Sequence, residues 1–402
     1  MISILDRFIG GVFLVIGTSV GAGMIGLPFK TAGINFYLVI IIFFLVWIVM
    51  FITAIAMLEV SLWIGKNVNL ITICNKVFGK KFSYFVCFTY LLFLYSLMVA
   101  YISGGSNMLF DIINFKREKE YGNVFISFLF TIPFVVIVFF GIKIGDYVNR
   151  IFVFFLILFY LLLIFKLFDN NCFFNFKISY IDFKLSIFSL PIIVTSFGYH
   201  LLIPSLSFYL FKNIKALVIV IFIGSFIPFC VYVVWEYVVL VKLSNIGRDF
   251  FFTILNGNYS SVNEFSILIG NNDFYFLLSL SLFSFFALSS SLIGVSIGMF
   301  DFFVDLFGLV HVSIRYRMLF LCLIFALPLI LNIYVQHCFI FALSYAGIFA
   351  SILLIIVPTS LLWYGRYVRK FNFKYILIGG KPVILFAFSF GFVVIISQLL
   401  QN

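Results

Sequence analysis

The sequence predicts an all-α integral membrane protein, and three observations lead to this fold class. Of its 402 residues, 65% are hydrophobic and only 10% are charged, whereas about a quarter of the residues of a soluble protein are charged. Apolar runs of about 20 residues, the length that crosses a bilayer as a helix, recur along the whole chain. Most loops between the runs are short, so residues 1–402 are predicted to form a single membrane domain.

Eleven of these runs are predicted to be transmembrane helices. They cover residues 8–29, 34–62, 83–111, 124–142, 149–168, 186–211, 216–241, 274–307, 316–335, 338–363 and 382–400.

The distribution of lysine and arginine predicts the orientation of the chain. With the N-terminus inside, the inner loops hold 16 of these residues and the outer loops hold nine. Cytoplasmic loops carry the excess of lysine and arginine, so the N-terminus is predicted to be cytoplasmic and the C-terminus periplasmic. The same bias explains most of the net charge of +11, so the charge does not indicate nucleic-acid binding.

The first run contains a stretch that is unsuited to an unbroken helix. Between Gly17 and Pro28 lie four glycines and a proline, which disfavour helix, although in lipid every backbone amide still needs a partner. This predicts a helix that stops and restarts near the bilayer midplane, as at the substrate sites of secondary transporters. Alternatively, Gly17 and Gly21 only allow a neighbouring helix to approach closely.

The sixth run contains a second unusual stretch. Pro191 and Pro204 bracket the core Ser196 to His200, and a histidine in the middle of a span is costly and usually functional. Two interrupted antiparallel spans, five spans apart, are typical of a five-plus-five inverted repeat. The first repeat is predicted over residues 1–168 and the second over 186–363, with 382–400 as an additional helix 11.

Several motifs, in this order along the chain, resemble those of the bacterial aromatic amino acid permeases. They are Gly17 to Met24, Ala100 to Gly104, Asp146 to Arg150, Thr195 to His200, Gly298 to Asp301, Asp305 to Phe307 and Ala342 to Gly347. The resemblance is greatest to the members that import tyrosine. It implies proton symport through the bacterial inner membrane, by alternating access, on a leucine-transporter-type fold with discontinuous helices 1 and 6. Glu236 departs from this resemblance, since a glutamine is expected there.

The chemistry of an amino acid zwitterion predicts which residues form the site. Its carboxylate fits backbone N–H groups at a helix N-terminus, and its ammonium fits carbonyl groups at a helix C-terminus. Gly21, Ala22 and Gly23 are predicted to hold the carboxylate; Thr18, Ser196 and Phe197 are predicted to contact the amine or the side chain. The remaining predicted substrate-binding residues are Gly17, Ser19, Met24, Tyr101, Gly198, Tyr199 and His200.

Proton coupling has two candidate residues. His200 is one because the ordinary pKa of histidine, about 6.5, lies near physiological pH. Glu59 either belongs to the proton route or pairs with an inner arginine. Glu236 is predicted to lie near the outer interface with its carboxylate reaching water.

Other ions and cofactors have weaker signals. Ser289 and Ser290 are ion-site candidates for Na⁺, although serines also promote helix packing. No cofactor and no metal site is expected, because the six cysteines show no ligand spacing. Whether Cys172 and Cys338 pair is left open.

The leading functional hypothesis is therefore a secondary transporter of an aromatic amino acid, tyrosine first. Tryptophan or another amino acid, and Na⁺ as the driving ion, are alternatives within the same fold. A membrane-embedded enzyme is a third reading, but it needs acid, base or metal ligands together at one depth, where only His200 is found. The expected partners are the amino acid and the lipid bilayer, with no nucleic acid and no obligate protein partner.

Overall fold

A computed structural model describes most of the chain, and its regular structure there is entirely helical. The described residues are 4–31, 33–64, 70–113, 122–167, 183–210, 213–244, 274–309, 312–335, 338–371 and 376–401. Cys172 lies outside these ranges, so the question of its pairing with Cys338 lies outside them too.

Seven helices form the part of the chain that holds the first five predicted spans. They are α1 (Ile4–Ser19), α2 (Ala22–Thr31), α3 (Phe36–Ile64), the short α4 (Leu70–Phe78), α5 (Lys80–Ile113), α6 (Gly122–Phe140) and α7 (Ile142–Leu167). Helix α4 lies between the second and third of these spans.

The second half continues with α8 (Phe183–Ser196), a 3₁₀ turn (His200–Leu202), α9 (Ile203–Tyr209), α10 (Ile214–Ser244), α11 (Phe274–Leu306) and α12 (Ile314–Tyr334). It ends with α13 (Cys338–Ala350), a π-helical turn (Ser351–Ile356), α14 (Val357–Trp363), a second π-helical turn (Tyr364–Val368) and α15 (Gly380–Leu399).

The helix lengths agree with the membrane class. Within the described ranges, nine helical segments are long and apolar enough to cross a bilayer, and α1 and α2 together form a tenth if the bent pair is one span. The predicted span 124–142 falls on α6, whose apolar stretch Val124–Phe140 is shorter than the others. Ten crossings are therefore supported by length and composition, and the eleventh stays a prediction.

Both predicted helix breaks are present. Helix α1 ends at Ser19, and α2 begins at Ala22 with its axis bent by 47°. Helix α8 ends at Ser196, three residues without helical structure follow, and helical structure resumes at His200. The local sequence explains both positions, because glycine is a poor helix former and lies inside each break.

Packing brings the interrupted helices together in the core. Helix α1 packs against α10, α2 packs against α8, and α10 also packs against α3. Around them, α5 packs against α11 and α13, while α7 packs against α11. Close approach of α13 to α8 depends on Gly347, where a Cβ atom would lie 2.5 Å from the carbonyl oxygen of Pro191.

This contact generates a prediction about stability. Gly347→Ala should lower the free energy of unfolding by about 1–3 kcal/mol, because the added methyl group overpacks a backbone contact that cannot yield. The matched control is Gly298→Ala on α11, where no atom lies within 4 Å of the position that a Cβ atom would take. Thermal unfolding of the two purified variants in detergent measures the difference, and equal stabilities would contradict the packing described here.

Candidate site at the two helix breaks

Two helix C-terminal ends meet at the hydroxyl group of Tyr232 on α10. Ser19 ends α1 and Ser196 ends α8, and the phenol hydroxyl lies within hydrogen-bonding distance of both backbone carbonyl oxygens, 2.8 Å in the case of Ser196. A helix leaves its last carbonyl groups unpaired and has a partial negative charge at that end. The phenol has one proton and donates to one carbonyl at a time, so a group with several donors would satisfy both.

The N-terminal end of α2 lies against the second break. A Cβ atom at Gly23 would lie 2.6 Å from Ser196 Oγ and 2.9 Å from Ser196 Cα, so α2 approaches this residue as closely as a glycine allows. The Ala22 N–H donates to Ser291 Oγ at 3.1 Å, and a Cβ atom at Gly21 would also meet that hydroxyl group. One positive and two negative helix ends therefore lie within one small region.

Most of the predicted substrate-binding residues are gathered here. Ser19, Gly21, Ala22, Gly23, Met24, Ser196 and Phe197 are all buried. The Phe197 ring meets the Tyr232 ring edge to face, with ring centroids 5.2 Å apart. Tyr101 of α5 is buried as well.

Gly17 and Thr18 are not brought to this contact. Both are exposed, on the face of α1 that also exposes Phe13 and Leu14. The Thr18 hydroxyl contacts the carbonyl oxygens of Leu14 and Val15 in its own helix. Helical geometry explains the separation, because these residues point away from the face that carries Ser19 to Tyr232.

The residues after Gly198 turn toward α3. The Tyr199 hydroxyl donates to the Met50 carbonyl at 3.4 Å, and His200 Nε2 lies 2.8 Å from Thr53 Oγ1. The Thr53 hydroxyl proton is used by the carbonyls of its own helix, so a neutral His200 ring carries its proton on Nε2 and donates it to Thr53. His200 is thus buried against α3.

Of the serines on α11, Ser291 is the one that contacts the first break. Ser290 Oγ donates to the Ala287 carbonyl at 3.1 Å within its own helix. Ser289 Oγ is buried without a hydrogen-bond partner among the described residues. An ion-binding role for Ser289 and Ser290 stays a prediction.

Glu59 is one half of a buried ion pair. It accepts hydrogen bonds from Arg366 Nε at 2.7 Å and Nη2 at 2.5 Å, and from the N–H groups of Ile376 and Leu377 at 2.7 and 3.0 Å. The sequence left two roles open for Glu59, and the structure shows the second of them, pairing with an arginine. A bidentate pair of this kind is strong and directional, and it ties α3 to the segment that leads into α15.

The prediction that the Glu236 carboxylate reaches water is wrong. Its side chain is fully buried, with Oε2 at 2.8 Å from Thr31 Oγ1 and with Oε1 lacking any partner among the described residues. The reason is that α10 presents this face to α2, at a depth where the sequence suggested proximity to water.

Sequence reasoning missed Tyr232, although it makes the central contact of the site. The chain has 21 tyrosines and 61 phenylalanines, so one more aromatic residue in an apolar helix carries little signal. The spacing of Tyr232 and Glu236, one helical turn apart on one face, is the signal that a search for polar pairs within spans would find.

Comparison of the sequence with known proteins finds a matching family and several relatives over nearly the whole chain. The sequence profile of the tryptophan/tyrosine permease family matches residues 5–398. Tyrosine-specific transport system 1 of Haemophilus influenzae is 28% identical over 390 residues, which cover 96% of this chain and 95% of that protein. The tryptophan-specific transport protein of the same species is 27% identical, with 98% and 96% covered. Glutamine transporter 2 of Aliivibrio fischeri is 26% identical, with 98% and 99% covered.

The ion pair of Glu59 generates a second prediction about stability. Glu59→Gln leaves the buried Arg366 charge without its partner and should cost about 3–5 kcal/mol of unfolding free energy. Replacing both residues by methionine should recover most of that loss. The matched control is Asp146→Asn, which breaks the exposed pair with Arg150 and should change stability by less than about 1 kcal/mol. Thermal unfolding of the wild type and of each variant measures these changes in stability. A Glu59→Gln protein as stable as the wild type would refute the structural role of the pair.

Proposed function

The chain belongs to the tryptophan/tyrosine permease family, and we propose that it imports an aromatic amino acid, tyrosine first, across the bacterial inner membrane by proton symport. The family membership and the apolar helices already indicate a multi-pass membrane permease for an amino acid. The named amino acid, the coupling ion and the direction of transport are the proposed part.

One observation carries the proposal: the helix ends that converge at Tyr232. The carbonyls of Ser19 and Ser196 share one phenol proton, and an ammonium group would supply a donor to each. At the start of α2, Gly21 and Gly23 have no side chain beside their N–H groups, and the Ala22 N–H donates to the hydroxyl group of Ser291, an arrangement that suits a carboxylate. The two sets of groups therefore complement the two charges of a free amino acid at one place.

The surroundings of Tyr232 support an aromatic substrate. The Phe197 ring packs against that of Tyr232, and aromatic rings pack favourably against other rings in offset or edge-to-face arrangements. The relatives are named for tyrosine, tryptophan and glutamine, and their similar identities to this chain do not rank these substrates. Tyrosine is the first choice because tyrosine-specific relatives are found together with the aromatic surroundings.

The packing of the helices supports the five-plus-five inverted repeat. Each predicted span of residues 1–168 has a counterpart at the same place in the order of residues 186–363, so that α1 corresponds to α8 and α3 to α10. Exchanging the counterparts converts the packing of α1 on α10 into that of α8 on α3. The same exchange converts α5 on α13 into α7 on α11. Helix α15 is then the additional helix, and alternating access is the transport mode of such repeats. The excess of lysine and arginine in the inner loops supports a cytoplasmic N-terminus.

The glycines at the start of α2 provide a direct test of the site. Gly23→Val should abolish transport while the protein still reaches the membrane, because a branched side chain would collide with Ser196 and cover the N–H groups. Gly17→Ala is the control, since nothing lies within 4 Å of its Cβ position, and it should transport like the wild type. Uptake of labelled tyrosine into cells that express each variant measures the effect. Normal uptake by Gly23→Val would remove these amides from the site.

Substrate and driving ion are tested together in proteoliposomes. The wild-type protein should concentrate labelled L-tyrosine when the outside is more acidic than the lumen, and an imposed Na⁺ gradient alone should have no effect. Competition by unlabelled tryptophan, phenylalanine and glutamine ranks the substrates. Accumulation that follows Na⁺ would favour a sodium symporter, and chemical conversion of tyrosine without accumulation would favour a membrane enzyme.

A further inference from the structure

Glu236 is a buried carboxyl group that the proposed substrate site does not use. Its side chain has no exposed surface, and Oε1 has no hydrogen-bond partner among the described residues. Ionisable side chains inside a membrane protein are rare, and they mark ion or proton pathways when they are not paired. Glu59, the other fully buried carboxyl group in the described ranges, is paired with Arg366.

The contact of Glu236 with Thr31 indicates which protonation state the carboxyl group has. Thr31 Oγ1 lies 3.0 Å from the Leu27 carbonyl oxygen and 2.8 Å from Glu236 Oε2. The threonine has one proton, and the carbonyl oxygen can only accept. An ionised Glu236 would accept the proton of Thr31 and leave the Leu27 contact without one. A protonated Glu236 would donate its O–H to Thr31, which could then donate to Leu27, so both contacts are hydrogen bonds at once in the neutral, protonated form.

Glu236 makes no ion pair within the described part of the chain. Lys30 precedes Thr31 on α2, and Lys242 follows Glu236 by six residues on α10, about 9 Å along the helix axis. The other titratable residues of α10 and of the helices packed against it are Asp6, Arg7, Tyr37, Glu59, Lys143, Asp146, Tyr147, Arg150, Tyr160, Lys166, Lys215, Cys230, Tyr232 and Tyr237. An ionised carboxylate would thus be buried with a single donor.

Glu236 is connected to both halves of the first broken helix. Tyr232 lies one turn before it on the same face of α10 and contacts the carbonyl at the end of α1. Glu236 itself contacts Thr31, the last residue of α2. A change in the protonation of Glu236 would therefore change the contact of α10 with α2, while Tyr232 keeps the other half in place.

We propose that Glu236 is the proton-binding residue of coupled transport, and that its protonated carboxyl group holds α2 against α10 by donating to Thr31. On loading, the carboxylate takes a proton from the outer side, and on release the same O–H bond breaks and the proton leaves to the cytoplasmic side. This deepens the proposed symport and rests on it. Glu59 is not chosen because it is held by Arg366. His200, whose Nδ1 has no hydrogen-bond partner among the described residues, is the competing site, and the experiments below decide between it and Glu236.

The first experiment separates coupling from substrate binding. In proteoliposomes, Glu236→Gln should still exchange labelled external for unlabelled internal L-tyrosine, because the amide can donate to Thr31 and exchange needs no net proton movement. It should lose the accumulation driven by a pH gradient, which for one proton per substrate is about tenfold for each pH unit of the gradient. Wild-type uptake should fall as the outside pH rises, and the uptake by Glu236→Gln should not. Glu236→Asp keeps a titratable group and should restore part of the pH dependence.

A second experiment does not depend on transport. Infrared spectra of the full-length protein at neutral pH should contain the C=O stretch of a protonated carboxylic acid that is missing in Glu236→Gln. Thr31→Val should shift this band, since it removes the acceptor of the O–H bond.

The outcomes distinguish this inference from the proposed function. The inference is overturned if Glu236→Gln still accumulates tyrosine along a pH gradient with the wild-type pH dependence. If Glu236→Gln keeps this accumulation and His200→Gln loses it, His200 is the proton-binding residue instead. Absence of the infrared band in the wild type would overturn it as well. If the wild type moves neither tyrosine nor tryptophan, the proposed function fails as a whole, whereas the infrared difference still decides the protonation state of Glu236.

Discussion

The hydroxyl group of Tyr232 is the contact on which the two broken helices depend. A helix that ends inside a membrane leaves carbonyl groups without partners, and each unpaired backbone group in an apolar surrounding costs several kcal/mol. Helices α1 and α8 both end in this way, at Ser19 and Ser196, and one phenol from α10 serves both ends. The position of α10 against α1 and α3 is therefore what lets Tyr232 reach both helix ends.

Close backbone approach is the second condition for this arrangement. Helix α2 reaches Ser196 only because Gly23 has no side chain, and α13 reaches α8 only because Gly347 has none. In lipid, helices associate through packing and hydrogen bonds instead of the hydrophobic effect, so small residues at the contact allow the closest packing.

The two fully buried glutamates show two different solutions to one problem. Glu59 meets a guanidinium group and two backbone N–H groups, which compensate a full negative charge. Among the described residues, Glu236 contacts the hydroxyl group of Thr31 and makes no ion pair. A buried charge is tolerated only with a partner and with its hydrogen bonds satisfied. The neighbours therefore make Glu59 part of the packing of α3 and leave Glu236 without a counter-charge in an ion pair.

The amino-acid sequence by itself determined the helical membrane class, the positions of the helices and both breaks, because these depend on local composition. Apolar length sets each span, and glycine and proline interrupt helices wherever they cluster. The tertiary structure alone decided what meets at the breaks. Helix α10 is apolar almost throughout, so its sequence does not reveal which face turns toward the protein, and Glu236 was expected near water for that reason. Tyr232 and Ser291 reach Ser19 and Ala22 across more than 200 residues, and only the packing of whole helices brings groups so distant in the chain together.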